Sequence, residues 1–519
     1  MVCVSVRRWS GLAASLAAAT LLTGCLAVGP DFLHPAAPET ERYTMEPLRL
    51  RTSATDARTG QPQRFRPGGD IPQEWWRLFK SRQLNALIER SLRANPNLQS
   101  TLSALRASKE LVYAQQGKYF PTVQGNFNPT RQLQSSVVSP ALNCPPLCQN
   151  PFDLYTAQVQ VSYTFDVWGL NRRTVESLQA QSDAQRFQFE AAYIALSANV
   201  ALAAITEASL RAQIDATNQL IALNRKALDT LRRQLDSGFA NRSEVAAAEA
   251  QLAQVEATLP PLRKALAVNR DLLAALAGGF PSTEPHELFR LDALQLPQDL
   301  PLSVPSQLVE QRPDVRNAEE LLHAASAQVG VAIANQLPNF TINGNLGYMN
   351  TVLAGLINPA NMFWLISGNA TQTLFDGLTL LHQERAAKAN YDAVAWLYRA
   401  AVVGAVQNVA DALRALQNDA DALKAAREFE RAAKISYDLA RQQLDLGNIN
   451  ILLLLQAQQT YLQAQIQVVL ARAARLSDTV ALFQALGGGW WNRIEPPTER
   501  ILDVGTGEGA TLVDKYRFY

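Results

Sequence analysis

Metal and redox chemistry have little to work with in this sequence. Its 519 residues include only four Cys, four Met and four His, and the histidines (His34, His286, His323, His382) are scattered without ligand spacing. No phosphate-cradling loop, zinc helix or nucleophile elbow is present, which removes the commonest enzymatic frameworks. Charge is scarce and balanced. Charged residues make up 18%, and 47 Lys+Arg against 46 Asp+Glu leave a formal net charge of +1, so nucleic acid is not expected as a partner. Past the N-terminus no run of about eighteen uncharged apolar residues occurs, so a helical membrane span is not expected either.

The N-terminus is built differently. Arg7 and Arg8 precede an apolar, small-residue stretch from Gly11 to Leu22, the layout of a secretory signal. The stretch ends in "LTGC" (22–25), which looks like a bacterial lipobox. Residues 1–24 are then the signal peptide, and Cys25 carries covalent lipid, with no other cofactor expected. Leu26 after the Cys, instead of Asp, points by analogy to the outer membrane. Cys144 and Cys148, in "NCPPLC", remain as a pair in a Pro-rich loop of an exported chain; a local disulfide is the expectation. A metal site there would need further ligands, and none is expected.

An internal repeat is the most informative feature. "ANPNLQSTLSALRASKELVYAQQGKYFPTVQGNF" from Ala94 is answered by "QRPDVRNAEELLHAASAQVGVAIANQLPNFTINGNL" from Gln311, with Pro96 matching Pro313 and Pro121 matching Pro338. "YTFDVWG" (163–169) answers "QTLFDG" (372–377), "RRQLDSG" to Gly238 answers "RQQLDLG" to Gly447, and "LAALAGG" to Gly279 answers "LFQALGG" to Gly488. These ordered landmarks, offset by roughly 210 to 220 residues, mark a duplicated unit. Each unit reads as a helix (about 82–118 and 305–336), two strands, a very long helix, a Gly turn and a return helix.

The strands alternate. Tyr155, Val159, Val161 and Tyr163 share one face; Thr156, Gln158, Gln160 and Ser162 share the other. In the second unit Thr341 and Asn343 alternate with Phe340 and Ile342, while a fourth strand, about 363–375, is apolar at Trp364, Ile366 and Leu374. A soluble sandwich also alternates. Against it, the polar faces hold almost no charge, as in a water-filled lumen, and aromatics (Tyr155, Phe165, Tyr348, Phe363, Trp364) mark strand ends as in interfacial girdles. Four strands cannot close a barrel, for which about eight are the minimum, so several chains must contribute; three copies give twelve strands.

Between Leu170 and Ser237 there is neither Gly nor Pro, and Leu378 to Leu446 holds only Gly404. Helices of such length, about 100 Å at 1.5 Å per residue, with apolar residues at Leu220, Leu223, Leu228, Leu231 and Leu235 and abundant Ala, fit coiled-coil pairing. At the turns, Gly238 suits a left-handed helix end, and Asn241 with Glu244 suits a capping box. Gly447 is followed by Asn448 or Asn450 as the cap. Turn chemistry alone accounts for these residues; exposed tips that also pair with a partner would use the same ones.

Together, "GCLAVGPDF" (24–32), "WWRLFKSRQLNALIERSLRANPNL" (75–98), "FDVWG" (165–169), "QRPDVRNAEELLHAASAQVGVA" (311–332) and "ALGG" (485–488) resemble the TolC-like outer-membrane efflux factors, in the NodT-type lipoprotein branch. The resemblance implies a chain that is mainly α with a β-barrel part. Duplicated helix–hairpin–long-helix units would form a trimeric twelve-stranded outer-membrane barrel and an α-helical periplasmic tunnel. It implies a homotrimer in outer-membrane lipid, a periplasmic membrane-fusion adaptor and an inner-membrane pump of RND type, with this chain as the passive exit duct for drugs or other small toxic compounds. A duct for protein secretion or metal efflux is the alternative within the family. The tips Gly238, Phe239, Asn241, Gly447, Asn448, Ile449 and Asn450 would contact the adaptor, and Glu244, Leu453 and Gln456 would stand at the tunnel entrance. Family members commonly carry "LLDAQ" where this chain has "LLQAQ", so Gln456 replaces an Asp, and an entrance less sensitive to cations and pH is expected.

The implied domains are a lipidated extended segment (25–74), a first repeat (75–279; strands 122–133 and 154–166, tip 238–241), a linker (280–304), a second repeat (305–488; strands 339–349 and 363–375, tip 447–450) and a partly flexible C-terminal extension (489–519). Two other function classes compete. An adhesin on trimeric helices should lack paired lumen-like hairpins. An enzyme is suggested by "ILDVGTGEGA" (501–510), which resembles the first motif of S-adenosylmethionine-dependent methyltransferases. That turn works only between a strand and a helix inside a larger parallel sheet, and "TLVDKYRFY" after it with "WWNRIEPPTER" before it supplies neither. No catalytic residue is expected.

Overall fold

The structure, a computed structural model, describes residues 27–38, 40, 42–57, 59–133, 151–283 and 287–493. Cys25, Cys144, Cys148, His286 and the 501–510 stretch lie outside the described residues. A short strand, β1 (Arg64–Pro67), leads into the first half, which runs α1 (Arg82–Ala94), α2 (Pro96–Gln116), β2 (Thr122–Gln132), β3 (Phe152–Phe165), α3 (Leu170–Asp236) and α4 (Arg242–Leu276). After β4 (Asp299–Leu302) the second half repeats the series as α5 (Pro305–Gln311), α6 (Pro313–Ala334), β5 (Asn339–Asn350), β6 (Met362–Thr371), α7 (Thr379–Asp445) and α8 (Ile451–Ala485). Both long helices have 67 residues and both return helices 35. The offset is 217 before the hairpins (Pro96 to Pro313) and 209 after them (Leu170 to Thr379). The eight-residue change equals the difference between the 19 residues joining β2 to β3 and the 11 joining β5 to β6.

The lead-in helices expected over 82–118 and 305–336 are each broken in two. Asn95 (φ −66°, ψ 122°) and Arg312 (φ −87°, ψ 121°) leave the helical region because each precedes a proline, whose ring excludes the helical conformation of the residue before it. The breaks are joints. Asn95 Nδ2 donates to Leu276 O (3.1 Å), and Arg312 Nη1 donates to Ala485 O (3.1 Å), so each ties down the last carbonyl of its own half's return helix. The Gly-Gly landmarks meet the same joints. A Cβ on Gly278 (φ +80°) would lie 2.4 Å from Ala94 O, and one on Gly487 (φ +91°) would lie 2.5 Å from Gln311 O. Glycine is required there by both backbone angle and space.

Three further expectations change. Segments 25–74 and 280–304 are not merely extended and linking: β1 and β4 pair in parallel, from Arg64↔Asp299 to Pro67↔Leu302. The fourth strand stops at Thr371, so Leu374 falls outside it. The packed chain also reaches past residue 488, since Trp490 Nε1 donates to Gln311 O (2.7 Å) and buried Arg493 pairs with buried Glu190.

The described residues divide into two compact units, one drawn from 27–34, 106–184 and 319–397 and the other from 35–105, 185–318 and 398–493. In the first lies the antiparallel sheet β2-β3-β5-β6. In the second, Trp75, Trp76 and Phe79 are buried, with Trp75 stacked on Phe483 at 5.5 Å. Leu220, Leu228 and Leu231 are buried as the long-helix pattern predicts, whereas Leu223 is 44% exposed. Helix α3 contains one 18-residue window apolar enough to cross a bilayer, but 61% of that window is buried, as in a core helix.

Candidate functional site

The sheet sorts its side chains by parity, because strand residues alternate faces and the register keeps like with like. Val123↔Val161, Gly125↔Val159 and Phe127↔Ala157 pair on β2–β3, and Val159↔Leu346, Tyr163↔Ile342 and Leu346↔Trp364 continue the apolar set. Tyr155 shares this parity beside Pro129. Much of this set is exposed: Val123 is 64% exposed, Leu346 55% and Trp364 69%, while Tyr155, Ala157 and Tyr163 are half-buried. In water such a patch would be a liability; against lipid it is matched.

On the opposite parity lie Thr156, Gln158, Gln160 and Ser162, paired with Asn128, Asn126, Gln124 and Thr122, and across β5 with Met349, Gly347, Asn345 and Asn343. Ser162 Oγ donates to Asn343 Oδ1 (2.8 Å), and the Thr164 and Thr341 hydroxyls meet at 3.4 Å. No ionisable side chain interrupts this face between Thr122 and Asn128 or between Thr156 and Thr164. One girdle assignment is corrected. Phe363 pairs with Gly347 and therefore shares the polar parity, and Trp364 alone of that pair joins the apolar face.

At the tips the chain turns as its residues dictate. Gly238 (φ +77°) and Gly447 (φ +75°) follow the helix ends. Phe239 N–H donates to Gln234 O (2.8 Å) and Gly238 N–H to Leu235 O (3.0 Å), while Asn448 and Gly447 repeat both bonds to Gln443 (2.9 Å) and Leu444 (2.9 Å). These paired bonds are Schellman closures. Asn241 then caps α4, accepting from Glu244 N–H (2.9 Å) while its own N–H donates to Glu244 Oε2 (3.0 Å). Of the two Asn candidates at the second tip, Asn450 caps α8 through Leu453 N–H (3.1 Å). Asn448 is spent on the Schellman bond through its backbone. Phe239 is 86% exposed, Leu453 49% exposed and Ile449 half-buried; Gln456 is also exposed. Beneath the tips Leu228, Leu231, Val245, Ala248, Ile451 and Leu455 form one apolar core, which holds both turns together.

One group was not legible in advance. Arg475 on α8 is fully buried, donating to Thr59 O (2.7 Å), Thr52 Oγ1 (2.8 Å) and Gln61 O (2.8 Å). Burial lowers its pKa to about 10, so it stays cationic at neutral pH. Nearby, burial and the hydrogen bond that a protonated Asp419 donates to Asp478 raise the Asp419 pKa to about 7. Helical spacing puts Arg475 on the face of buried Thr479 and Leu482, but an Arg at such a position reads equally well as solvated.

An uncovered apolar strand face, an uncharged polar face behind it and two long helical hairpins define a channel subunit rather than a catalytic pocket. Comparison with known proteins agrees. The profile of the outer membrane efflux protein family matches residues 87–279 and 304–488, and the chain belongs to that family. It is similar to the probable efflux pump outer membrane protein TtgC of Pseudomonas putida, 26% identical over 92% of this chain and 96% of the relative. It is likewise similar to the toluene efflux pump outer membrane protein TtgF of the same species, 28% identical over 93% and 98%. The solved Campylobacter jejuni CmeC outer membrane channel superposes with a TM-score of 0.80 at 19% identity, covering 92% and 98%, which supports the fold. The protein is thus a Gram-negative outer-membrane efflux channel, mainly α with a β-barrel part, and a transport component rather than an enzyme.

Proposed function

We propose that three copies of this chain close one twelve-stranded barrel and form the exit duct of a tripartite pump. The observation that carries the reading is the sheet's open ends: among the described residues β2 and β6 each pair on one side only, and four strands are about half of the smallest closed barrel. Thr156, Gln158, Gln160, Ser162, Thr341 and Asn343 would line the lumen, with Tyr155, Val159, Val161 and Tyr163 toward lipid. Cys25 would add a lipid anchor. The exposed tips, from Gly238 to Asn241 and from Gly447 to Asn450, would meet a periplasmic adaptor that connects to an inner-membrane pump. The cargo would be small toxic compounds, as the toluene and antibiotic exporters among its relatives suggest. Light scattering of detergent-extracted protein tests the count: three copies are expected, and a monomer that conducts in planar bilayers would refute the reading.

Gln456 adds no charge of its own to the entrance, so conductance should respond less to divalent cations than it would with a ring of Asp at that position. Gln456→Asp trimers should lose conductance when a divalent cation is added. An unchanged response would remove Gln456 from the entrance.

A further inference from the structure

The segment after Cys25 is held by a set of charges that conduction does not use. Val28 N–H donates to Trp168 O (3.0 Å), and Arg173 on α3 donates to Val28 O (3.1 Å), Gly29 O (3.3 Å) and the Asp31 carboxylate (2.7 Å). A Cβ on Gly29 (φ +96°) would lie 2.4 Å from Gly330 Cα, so backbone packs directly on α6. Further along, the Phe32 ring stacks on the His323 imidazole, with centroids 4.4 Å apart and 14° between planes. His323 Nε2 lies 3.2 Å from Glu176 Oε1, and its Nδ1 lies 3.4 Å from Glu320 Oε2.

A neutral imidazole carries one N–H and therefore cannot donate to two carboxylates; the imidazolium can. We propose that His323 is a proton-operated clasp on the segment Ala27–His34. Protonated, it bridges Glu176 of α3 to Glu320 of α6 and presents a cation to the face of Phe32. Deprotonated, it turns a lone pair toward one carboxylate and loses the cationic attraction for the ring. The other charges facing the clasp are Arg173, which pairs with Glu176 (2.8 Å) and Asp31, and Glu319, which lies 2.6 Å from His34 Nδ1. Burial works against the Arg173 charge, but its hydrogen bonds to Asp31 and Glu176 more than offset that and hold its pKa above the ordinary arginine value, so Val28–Asp31 stays anchored while Phe32–His34 loosens.

The hydrogen bond to Glu320, helped by Glu176, outweighs burial and raises the pKa of His323 above its ordinary 6.5. With that sign, the clasp is closed below the ordinary histidine range and opens as pH rises through the elevated folded value. The end of the segment that follows the lipid-bearing position would then be tight in acidic surroundings and loose in alkaline ones.

A nitroxide on Leu33→Cys, a side chain 83% exposed, reports the segment in full-length trimer whose Cys144 and Cys148 are Ser. The mobile population should be about tenfold larger at pH 8.5 than at pH 6, the effect of losing one charge-assisted hydrogen bond. His323→Gln should abolish that difference, and His34→Gln should leave most of it. Equal mobility at both pH values, or an unchanged pH response in His323→Gln, would overturn the proposal. If His323→Gln does not fold, imidazole C2 hydrogen exchange in the unsubstituted protein decides instead. His323 should titrate above the ordinary histidine range and shift down in Phe32→Leu; titration at or below that range overturns the clasp.

Discussion

The two halves of the chain share a skeleton to the residue, 67 and 35 in their helical pairs, yet finish it differently. At the 209-residue offset, buried Arg475 with half-buried Asp419 and Asp478 of the second half stands where the first has Leu210, Leu266 and Asn269. Helix α4 carries Pro260 and Pro261 where α8 carries Val469 and Leu470. The first tip has a complete capping box, while the second has the Asn cap alone. The exits from the hairpins also differ. Trp168 is tied to Pro338 O (2.8 Å) and to Val28, whereas Leu374 and Phe375 are 92% and 85% exposed. Duplication therefore preserved the joints and the lengths of the long and return helices, which the geometry of a repeated unit demands, and left the fillings free to diverge.

The sharpest break should come from Arg475→Ala. It would remove all three Arg475 hydrogen bonds, leave the buried Thr59 carbonyl without that donor and deprive the neighbouring carboxyls of their cation, at a cost of about 3–5 kcal/mol in denaturant unfolding. Leu266→Ala at the matching, half-buried position of the first half should cost about 1 kcal/mol. If the two variants are equally destabilised, the charge cluster is not what distinguishes the halves.

Next in size is a pH effect confined to the second half. The raised pKa of Asp419 means that its contribution is complete below the ordinary 3.8 and is lost as pH rises through about 7. Asp419→Asn should flatten that slope in melts taken from pH 4 to pH 8. After discounting for partial exposure, a gain of about 1–2 kcal/mol at pH 8 is expected. A variant with the wild-type slope would assign the titration elsewhere.

Smallest is the difference between the tips. Asn241→Ala removes the side-chain half of the box, leaving only the backbone bond to Glu244, and should cost about 1–2 kcal/mol of local stability, against about 1 kcal/mol for Asn450→Ala, read by hydrogen exchange in the tip peptides. Leu453→Glu completes the missing box and should recover a few tenths of that difference. Equal costs for the two Asn substitutions would show that the shared apolar core, not the caps, sets tip order.

Much of this was legible in one dimension. Alternation in "YTAQVQVSYTF" carries the two strand faces, because side-chain period and face are the same thing in a strand. The Gly-free and Pro-free runs carry the long helices, and Gly238, Asn241 and Glu244 carry their turn, since caps are local chemistry. What escaped the reading was non-local. Pro96 and Pro313 were visible as landmarks, but that the residues before them reach the ends of return helices some 170 to 180 positions away is a property of packing. Phe363 beside Trp364 read as a girdle pair until the register with Gly347 separated them.

By itself, then, the amino-acid order determined the repeat, the two long helices, the alternation of the strands, the turns and the family, all of which rest on spacing along the chain. Only the tertiary structure decided that Arg475 is a buried cation, that His323 sits between two carboxylates, and that β1 pairs with β4. Those outcomes depend on which distant groups are brought together and deprived of water, and no local pattern encodes the partner.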